Sequence, residues 1–376
     1  MIYLDSAATT QPFLEVVNEV SKLNLELFAN SSSIHNFGFQ SKKLYEQSKT
    51  RVLDLLKLKR DFDILFTSGA TEANNLVLKG ISEKYKNRGK TILISSIEHP
   101  SIKSTAKSLL NLGFLVKEIP VDELGMIKIN ALESLLTSDV ILVSIITINN
   151  EMGVIQDFKR ISSLIRKYPK IIFHTDATQA IAKEPIDYSL FDLISFSGHK
   201  FHSTKGVGAL IFRKNISFTP LIEGGAQQNN NRAGTIDVPS IAGMAKALEL
   251  SLKERDSNLN RIKEFHDYLI NELSKIDEVS INSNPKCSNF IINFSLRKHK
   301  ASVIVEGLSE KQIYVSSISA CSSKKENTSE VLLALGKSKA DADNSIRVSF
   351  SYSTTLDEIN IFLSELKRLL VEVKER

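Results

Sequence analysis

Residues 63–85, with the sequence DILFTSGATEANNLVLKGISEKY, combine the two patterns that decide the fold class. The apolar run 63–67 predicts a buried strand, and the polar, glycine-containing stretch 68–70 predicts a turn. Apolar residues then recur at helical spacing from 71 to about 85, which predicts a helix. A strand that passes through a short turn into a helix is the repeating unit of a parallel sheet covered by helices.

The same alternation of apolar runs and helical patterns continues along the chain from this unit. Further strands are predicted at 91–95, 140–146, 171–175, 193–196 and 208–212, and further helices at 100–112 and 159–168. The strand patterns are continuously apolar, as expected for strands that are buried on both faces of a sheet. The sequence therefore predicts an α/β fold built on a mostly parallel sheet.

The last third of the chain is organised differently and begins with a long helical pattern over 238–273. Strands are then predicted at 290–294 and 346–350, and helices at 302–310 and 355–375. This mixture is typical of an α+β domain. We expect a large domain over residues 14–258 and a small domain formed by 1–13 and 259–376. The polar stretch QQNNN at 227–231 is expected to be a loop.

The composition of the chain argues against several classes of protein. Hydrophobic residues make up 42% and charged residues 24% of the 376 residues, which is typical of globular rather than disordered or membrane proteins. The longest apolar stretch, around 139–148, is too short to cross a bilayer, and the N-terminal MIYLDSAATT does not resemble a signal peptide. The presence of only two cysteines favours a reducing cytoplasm. The net charge of +5 does not indicate direct nucleic-acid binding.

The turn that follows the first quoted strand is a candidate anion site. In SGATE, residues 68–72, backbone N–H groups at the start of a helix favour an anion, and the Thr71 hydroxyl is placed to contact a phosphate. Taken alone, the motif is better explained by Thr71 acting as an ordinary helix N-cap. The chain has no GxxxxGK[ST] loop and no GxGxxG motif after its first strand, which disfavours nucleoside triphosphates and nicotinamide cofactors.

Two other strand ends carry ionisable residues. Lys200, in SGHK, follows a predicted strand, and a buried lysine of reduced basicity suits Schiff-base chemistry. The alternative is an ordinary surface lysine, which is how we interpret Lys205. Asp176, in HTDATQ, ends another strand, where a carboxylate can hold a pyridinium nitrogen. A helix N-cap is an equally good interpretation of Asp176.

A histidine and a cysteine complete the set of candidates. His99 follows the strand predicted at 91–95, where an imidazole can stack on a cofactor ring or move a proton. Cys321 lies in the polar stretch SACSSKKEN, in which two neighbouring lysines favour the thiolate. Cys287 is interpreted as a structural residue. The histidines and cysteines show no spacing typical of a metal site.

Together these motifs resemble those of a known family. SGATE, EH, NNE-G, DATQ, SGHK and SACSS have the order and spacing of the cysteine desulfurases of the NifS/IscS type, which depend on pyridoxal 5′-phosphate (PLP) and belong to the class V branch of the fold-type I aminotransferases. The resemblance extends from YLDSAATT at 3–10 to SIRVS at 345–349. It implies a large domain with a mostly parallel, seven-stranded sheet and a smaller α+β domain that carries the nucleophilic cysteine.

The resemblance implies a role for each candidate around the cofactor ring. Lys200 would form the Schiff base with PLP and later move the substrate Cα proton, and Asp176 would pair with the pyridinium nitrogen. His99 would stack on the ring and act as an acid or a base. Gln179 and Asn150 would bind the ring oxygen or orient the substrate.

The resemblance also implies how the phosphate and the substrate are bound. Ala70, Thr71, Ser197 and His199 would surround the phosphate. Thr235 would reach the phosphate of the neighbouring subunit, so a homodimer with shared sites is implied.

The remaining implied roles concern the substrate and its sulfur. Arg347 would bind the carboxylate of L-cysteine, and the Cys321 thiolate would attack the substrate sulfur, leaving L-alanine and a persulfide on Cys321. An acceptor protein would then take the sulfur, for iron–sulfur cluster assembly or for tRNA thiolation.

Some alternatives stay open at this stage. Another class V PLP enzyme, such as a selenocysteine lyase or a small-amino-acid aminotransferase, would carry the same cofactor motifs, and a sulfur-relay scaffold would depend mainly on acceptor docking. The sequence SSKKENTSE after Cys321, and FSYSTT after IRVS, differ from some members of the family. These differences leave the identity of the acceptor open.

Overall fold

The computed structural model describes residues 1–317 and 328–375, and the strands in these ranges form three sheets. The strands, in chain order, are β1 Ile2–Tyr3, β2 Phe62–Thr67, β3 Thr91–Ser95, β4 Leu115–Ile119, β5 Val140–Ser144, β6 Ile172–Asp176, β7 Leu193–Ser197, β8 Gly208–Arg213, β9 Val279–Ile281, β10 Ile291–Leu296, β11 Ile313–Tyr314, β12 Ser316–Ser317 and β13 Ser345–Ser349.

The largest sheet has seven strands in the order β2-β8-β7-β6-β5-β3-β4. Only β8 is antiparallel to its neighbours, which confirms the predicted mostly parallel sheet. The loop from β7 to β8 is too short for a crossover helix, so β8 returns in the opposite direction. Because β8 lies between β2 and β7, those two strands point the same way, and the carboxyl ends of β2, β3, β5, β6 and β7 all meet at one edge.

Helices cover this sheet and connect most of its strands. In chain order, the α-helices are α1 Leu14–Glu26, α2 Asn36–Leu55, α3 Ala70–Asn75, α4 Ser82–Tyr85, α5 Pro100–Leu110, α6 Ile129–Leu135, α7 Phe158–Ile165, α8 Gln227–Asn230, α9 Val238–Ser274, α10 Ala301–Glu310, α11 Glu330–Ala334, α12 Lys339–Asp343 and α13 Leu356–Glu372. Every residue of β5 is buried, which agrees with its continuously apolar pattern. No helix within residues 1–317 and 328–375 has the length and apolar character needed to cross a membrane.

The helix predicted over 71–85 is continuous but changes its winding. A π-helical segment, Leu76–Ile81, connects α3 to α4. Within it, Gly80 lies so close to a neighbouring loop that a Cβ atom would be 2.6 Å from the carbonyl oxygen of Thr219. The close approach therefore requires glycine at this helical position.

The last third of the chain forms the predicted mixture of strands and helices. An antiparallel sheet has the order β12-β13-β10-β9, and α9 begins at the predicted residue, with the side chain of Asp237 accepting a hydrogen bond from the Ser240 N–H. The N-terminal β1 pairs with β11, which brings the first residues to this part of the molecule. The proposed domain boundaries, 14–258 against 1–13 and 259–376, stay predictions.

The segment expected to be a loop, 227–231, contains the single irregular turn α8. Gln228 and Asn229 have left-handed backbone conformations there. The Gln228 carboxamide accepts from the Phe66 N–H and donates to the Phe66 carbonyl, at 2.8 Å each. These two hydrogen bonds satisfy the backbone N–H and carbonyl of Phe66 at the outer edge of β2, and they hold the loop that contains Gln228 against the sheet.

Candidate active site

Most of the candidate side chains from the sequence lie at the shared carboxyl edge of the seven-stranded sheet. Ala70 follows β2, His99 follows β3, and Asn150 follows β5. Asp176 is the last residue of β6, and Lys200 lies in the short 3₁₀ turn Gly198–Lys200 directly after β7. The edge is formed by strands far apart in sequence, and it is the usual ligand-binding position in open α/β sheets.

Lys200 is held by the N-terminal segment rather than extended into solvent. Its Nζ donates to the carbonyl oxygens of Ala7, at 2.6 Å, and Ala8, at 2.7 Å. Lys205, in contrast, is exposed. The interpretation of Lys200 as an ordinary surface lysine is therefore wrong, because its amine is directed back over the sheet edge.

The N-terminal segment is fastened to the same turn by further hydrogen bonds. The Thr10 N–H and hydroxyl both donate to the His199 carbonyl at 2.9 Å, and His199 Nδ1 lies 3.0 Å from Thr9 Oγ1. Burial, with Lys200 and Lys205 nearby, lowers the pKa of His199 to about 4, so its ring is neutral at pH 7. The sequence reasoning did not place this segment in the site.

The SGATE turn joins β7 through a side chain. The Ala70 N–H donates to Ser197 Oγ at 2.7 Å, so two residues predicted to surround a phosphate are in contact. The suggestion that Thr71 caps the helix is wrong, because the helix begins one residue earlier and its N-cap is Gly69, which has no side chain. Thr71 is exposed, and its hydroxyl is not needed for capping.

Asp176 is buried and receives two hydrogen bonds. Its Oδ1 accepts from the Thr178 N–H at 2.9 Å, and its Oδ2 accepts from Asn74 Nδ2 at 2.7 Å. The first bond resembles the predicted N-cap contact, and the second is a contact that the sequence did not indicate. The carboxylate is therefore oriented from both sides at the end of β6.

His99 caps the helix α5 and lies close to the other ionisable groups. Its Nδ1 accepts from the Ser101 N–H at 3.1 Å and lies 2.8 Å from Ser101 Oγ. Burial lowers the pKa of His99, an effect that Asp176 opposes and Lys200 adds to. The ring is therefore neutral at pH 7 and within electrostatic reach of the two strongest candidates.

Glu98, beside His99, is a buried carboxyl group without a cation to pair with it in the described ranges. Its Oε1 accepts from Ser95 Oγ and from the Ile146 N–H, both at 2.6 Å, while Oε2 has no hydrogen-bond partner among the described residues. Burial raises the pKa of Glu98 to about 8, although its two hydrogen bonds act in the opposite direction. The group is therefore mostly protonated at pH 7.

The raised pKa of Glu98 makes stability depend on pH in a defined direction. Between its usual value of 4.5 and about 8, the folded protein keeps a proton that the unfolded chain has lost. The free energy of unfolding therefore decreases as pH rises through this window, by up to about 1.4 kcal/mol per pH unit. Glu98→Gln removes the titration but keeps the shape and the Oε1 acceptor. We expect urea unfolding at pH 5, 6, 7 and 8 to show that the wild type loses stability relative to this variant.

A suitable control is Glu83→Gln, which changes an exposed glutamate on α4. This control should retain the pH dependence of the wild type. If the unfolding free energies of wild type and Glu98→Gln differ by a constant amount from pH 5 to 8, Glu98 is ionised in the folded protein and the interpretation is wrong.

Gln179 links the strand edge to the N-terminal segment and to Lys183, which is buried. Its Nε2 donates to the Ala7 carbonyl at 2.8 Å, and its Oε1 accepts from Lys183 Nζ at 3.1 Å. Burial and the nearby positive charges of Lys200 and Arg347 lower the pKa of Lys183 to about 7. Gln179 and Lys200 thus share the Ala7 carbonyl, a convergence that the sequence did not indicate.

Arg347 reaches the site from the other sheet, on β13. Its guanidinium donates to Asp5 Oδ1 at 2.7 Å and to the Asn150 carbonyl at 2.8 Å, while Nε is buried without a hydrogen-bond partner among the described residues. Asn150 therefore meets Arg347 through its backbone. Asp5 is a neighbour of Arg347 that the sequence reasoning missed.

Cys321 lies outside the described residues, but residues on both sides of it are near Arg347. On the N-terminal side, Ser316 is the register partner of Arg347 across β12 and β13. On the C-terminal side, the Ser329 hydroxyl donates to Glu151, the residue after Asn150. The described chain on either side of residues 318–327 is therefore anchored beside the arginine.

Thr235 is exposed, and its loop is attached to the SGATE turn rather than to Lys200. It lines a groove with Thr67 and Ser68. Arg232, three residues earlier, forms an ion pair with Glu72 at 3.0 Å. The structure thus brings Thr235 near the start of α3 but, within this one chain, not to the Lys200 cluster.

The environment of Cys287 agrees with the structural role predicted for it. The thiol is mostly buried, and its Sγ accepts a hydrogen bond from the Asn284 N–H at 3.4 Å. Burial raises the pKa of Cys287 to about 11, so the thiol is protonated and a poor nucleophile at pH 7.

Comparison with known proteins agrees with this arrangement. The family model described as aminotransferase class-V matches residues 2–362. The protein named cysteine desulfurase IscS from Dictyoglomus turgidum is 38% identical over 379 residues, covering 99% of this chain and 95% of that protein. A solved NifS-like protein superposes with a TM-score of 0.92 at 33% identity, covering 99% of this chain and 100% of the other. The NifS-like protein of Rickettsia africae superposes with a TM-score of 0.89 at 32% identity, covering 99% of each chain. These matches confirm the resemblance seen in the motifs and the fold-type I architecture, and the chain belongs to the class V aminotransferase family.

Proposed function

We propose that this protein is a PLP-dependent cysteine desulfurase, which converts L-cysteine to L-alanine and keeps the sulfur as a persulfide on Cys321. The observation that carries the proposal is the placement of the Lys200 amine and the Asp176 carboxylate at the ends of adjacent strands, with the His99 ring close enough for both charges to act on its pKa. The name of the Dictyoglomus relative supports cysteine as the substrate.

The residues at the sheet edge fit PLP, the cofactor of this family. The start of α3, with Ala70 and Thr71 beside Ser197 and His199, suits a phosphate, because helix N-termini and hydroxyl groups favour anions. Close packing supports the fit: a Cβ atom on Gly69 would be 3.2 Å from Ser197 Oγ, so a larger residue would crowd the cradle.

The polar groups around the ring position complete the fit. Asp176 would hold the ring nitrogen, Gln179 and Asn150 would lie near the ring oxygen, His99 would cover the ring, and Lys200 would bind the cofactor covalently. When bound, PLP withdraws electrons from the substrate Cα and so makes its proton acidic.

Lys200 would then move the proton at the substrate Cα. The Ala7 and Ala8 carbonyls, at 2.6 and 2.7 Å from Nζ, give the amine a defined direction. A flexible lysine that is already oriented loses less conformational entropy on reaching the proton. Arg347 would hold the substrate carboxylate, with Asp5 and the Asn150 carbonyl fixing the plane of its guanidinium.

The Cys321 thiolate would carry out the sulfur transfer. It forms a sulfur–sulfur bond with the substrate, the carbon–sulfur bond breaks, and the released electron pair stays on carbon, where a proton completes alanine. Cys321 is four residues beyond Ser317 in the sequence, a stretch that spans at most about 14 Å. Since β12 pairs with β13 at Arg347, the described chain that precedes Cys321 ends beside the proposed carboxylate site.

The test is product analysis with the purified, PLP-loaded protein. With L-cysteine and a thiol reductant, we expect equal amounts of alanine and sulfide. 3-Mercaptopyruvate and a transaminated cofactor would instead indicate an aminotransferase, and alanine from L-selenocysteine but not from L-cysteine would indicate a selenocysteine lyase. Either result from a fully PLP-loaded protein contradicts the proposed reaction.

We also propose that two copies of the chain share their active sites and that the persulfide is passed to an acceptor protein in the cytoplasm. The exposed Thr235 supports the first point, as does a group of exposed apolar side chains around the α1–α2 connection, Leu25, Phe28, Ile34 and Phe39. The acceptor would serve iron–sulfur cluster assembly or tRNA thiolation.

Shared sites predict that two inactive variants will restore activity when they are combined in one dimer. Thr235→Asp places a negative charge where the partner's phosphate would bind, and Lys200→Ala removes the amine. In a mixed dimer, one site keeps both native residues, so about half of the wild-type alanine formation is expected from dimers isolated through two different tags. Inactive mixed dimers would assign Thr235 to the site of its own chain, and failure to isolate any would argue against the dimer.

A further inference from the structure

One buried carboxamide, that of Asn74, connects two groups of the proposed site. Asn74 lies on α3 and is fully buried. Its Nδ2 donates to Asp176 Oδ2 at 2.7 Å and to Ser101 Oγ at 2.9 Å, and Ser101 Oγ is 2.8 Å from His99 Nδ1. A single side chain thus lies between the carboxylate at the end of β6 and the imidazole after β3.

The orientation of this carboxamide follows from what its neighbours can donate and accept. A carboxylate only accepts hydrogen bonds, so the amide nitrogen faces Asp176. The amide oxygen then faces Ser195, whose hydroxyl donates to it. Both ends of the Asn74 side chain are therefore determined by buried partners, and a rotated amide would leave its oxygen facing the Asp176 carboxylate, an acceptor against an acceptor.

From Asn74, a series of buried hydrogen bonds continues across the sheet through Ser195, His174 and Ser144. Because Ser195 gives its only hydroxyl hydrogen to Asn74, it must accept from His174 Nε2, which is 3.0 Å away. Burial keeps the pKa of His174 well below its usual range, so the ring is neutral and its Nδ1 accepts from Ser144 Oγ at 2.9 Å. The strands β5, β6 and β7 are thereby joined to α3 by a satisfied buried network, which holds Asn74 rigidly.

On the other side of Asn74, the hydrogen bonds continue through Ser101 to His99. His99 Nδ1 accepts from the Ser101 N–H and therefore carries no proton, so the Ser101 hydroxyl, which accepts from Asn74, donates its hydrogen to Nδ1. In the neutral ring the proton is consequently on Nε2.

We propose that Asn74 is a positioning residue that sets the Asp176 carboxylate and the His99 ring relative to each other, so that both meet the cofactor in one fixed arrangement. This proposal rests on the proposed function, because it assigns Asp176 to the ring nitrogen of PLP. Asn74 itself touches neither cofactor nor substrate; it acts through Asp176 and, by way of Ser101, through His99.

The first test measures cofactor affinity without any reaction. Apoprotein is titrated with PLP and with its deaza analogue, in which carbon replaces the ring nitrogen. Asn74→Ala should weaken PLP binding about tenfold, as expected for the loss of a hydrogen bond to a charged group, and should change binding of the deaza analogue less than twofold. The control is Asn75→Ala, since the Asn75 side chain bonds only its own helix, at the Thr71 carbonyl, in the described structure. This control should bind both compounds as the wild type does.

Asn74→Leu provides a second variant of nearly the same size and with no hydrogen-bond donors. If Asn74→Ala folds poorly, this variant should show the same selective loss for PLP. Equal weakening of PLP and the deaza analogue in both variants would show that Asn74 only supports the fold, and this would overturn the proposal.

The second test is a double-mutant cycle with Asp176→Asn. For alanine formation, Asn74→Ala should lower kcat about 100-fold with little change in KM, because the groups are misplaced rather than removed. Added to Asp176→Asn, it should cost less than threefold more. Independent, multiplicative losses would overturn the proposal. A wild type that forms no alanine contradicts the proposed function alone, and the titration then still decides the role of Asn74.

Discussion

Lys200→Ala is expected to reduce alanine formation from L-cysteine by about 10⁴-fold or more, since the variant loses both the covalent attachment of PLP and the base for the Cα proton. The buried amine of Lys183 should not replace it, because that amine donates to Gln179 Oε1, whereas the Lys200 amine is directed by the Ala7 and Ala8 carbonyls. The measurement is alanine release per subunit under conditions of excess PLP. Borohydride treatment followed by peptide mapping should attach the cofactor to the Lys200 peptide in the wild type only.

Lys205→Ala is the matched control for this experiment. Lys205 lies five residues further along the chain, is exposed, and also carries a positive charge near His199. It should retain wild-type activity and the borohydride-stable attachment at Lys200. Cofactor attached at a different lysine in the wild type, or activity of Lys200→Ala within tenfold of the wild type, would remove Lys200 from the chemistry.

Much of the fold could be predicted because apolar periodicity is strong in its central part. The strand β3 and the start of α9 coincide with their predicted residues, and the other predicted strands differ by one or two residues at their ends. The strand β4 was not predicted, since its residues Leu115–Ile119 are largely exposed at the sheet edge and interrupted by charges. The other edge strand, β2, is almost entirely buried and was predicted, so the exposure of β4 rather than its edge position weakens the apolar signal.

The site was predicted only in part, because motifs reveal residues at strand ends but not what crosses the sheet edge. Lys200, Asp176 and His99 each follow an apolar run, which is a local signal. Asn74 and Asp5 were missed because their contacts, with Asp176 and Arg347, join positions 102 and 342 residues apart. Residues of these types are common on surfaces, and their partners cannot be read from local spacing.

Cys321→Ser is expected to reduce alanine formation from L-cysteine by at least about 10³-fold while leaving the PLP content and absorption spectrum unchanged. A serine hydroxyl is hardly ionised at pH 7, and a neutral oxygen is a poor nucleophile toward sulfur, whereas a thiolate is a strong one. Because the substitution removes no group from the sheet edge, PLP and L-cysteine should still bind, and addition of L-cysteine should still perturb the cofactor spectrum. The direct observation is mass spectrometry of the wild type after one turnover without reductant, which should show one additional sulfur atom on the Cys321 peptide.

Cys287→Ser makes this comparison decisive, since the chain has only two cysteines. The Cys287 thiol is mostly buried, and its pKa of about 11 keeps it protonated, so the control should retain wild-type activity within about twofold. The two variants therefore separate loss of a nucleophile from loss of a thiol in general. An additional sulfur on Cys287, or undiminished alanine formation by Cys321→Ser, would exclude the persulfide on Cys321. The second result would favour direct release of sulfur from the substrate, the chemistry expected of a lyase without a cysteine nucleophile.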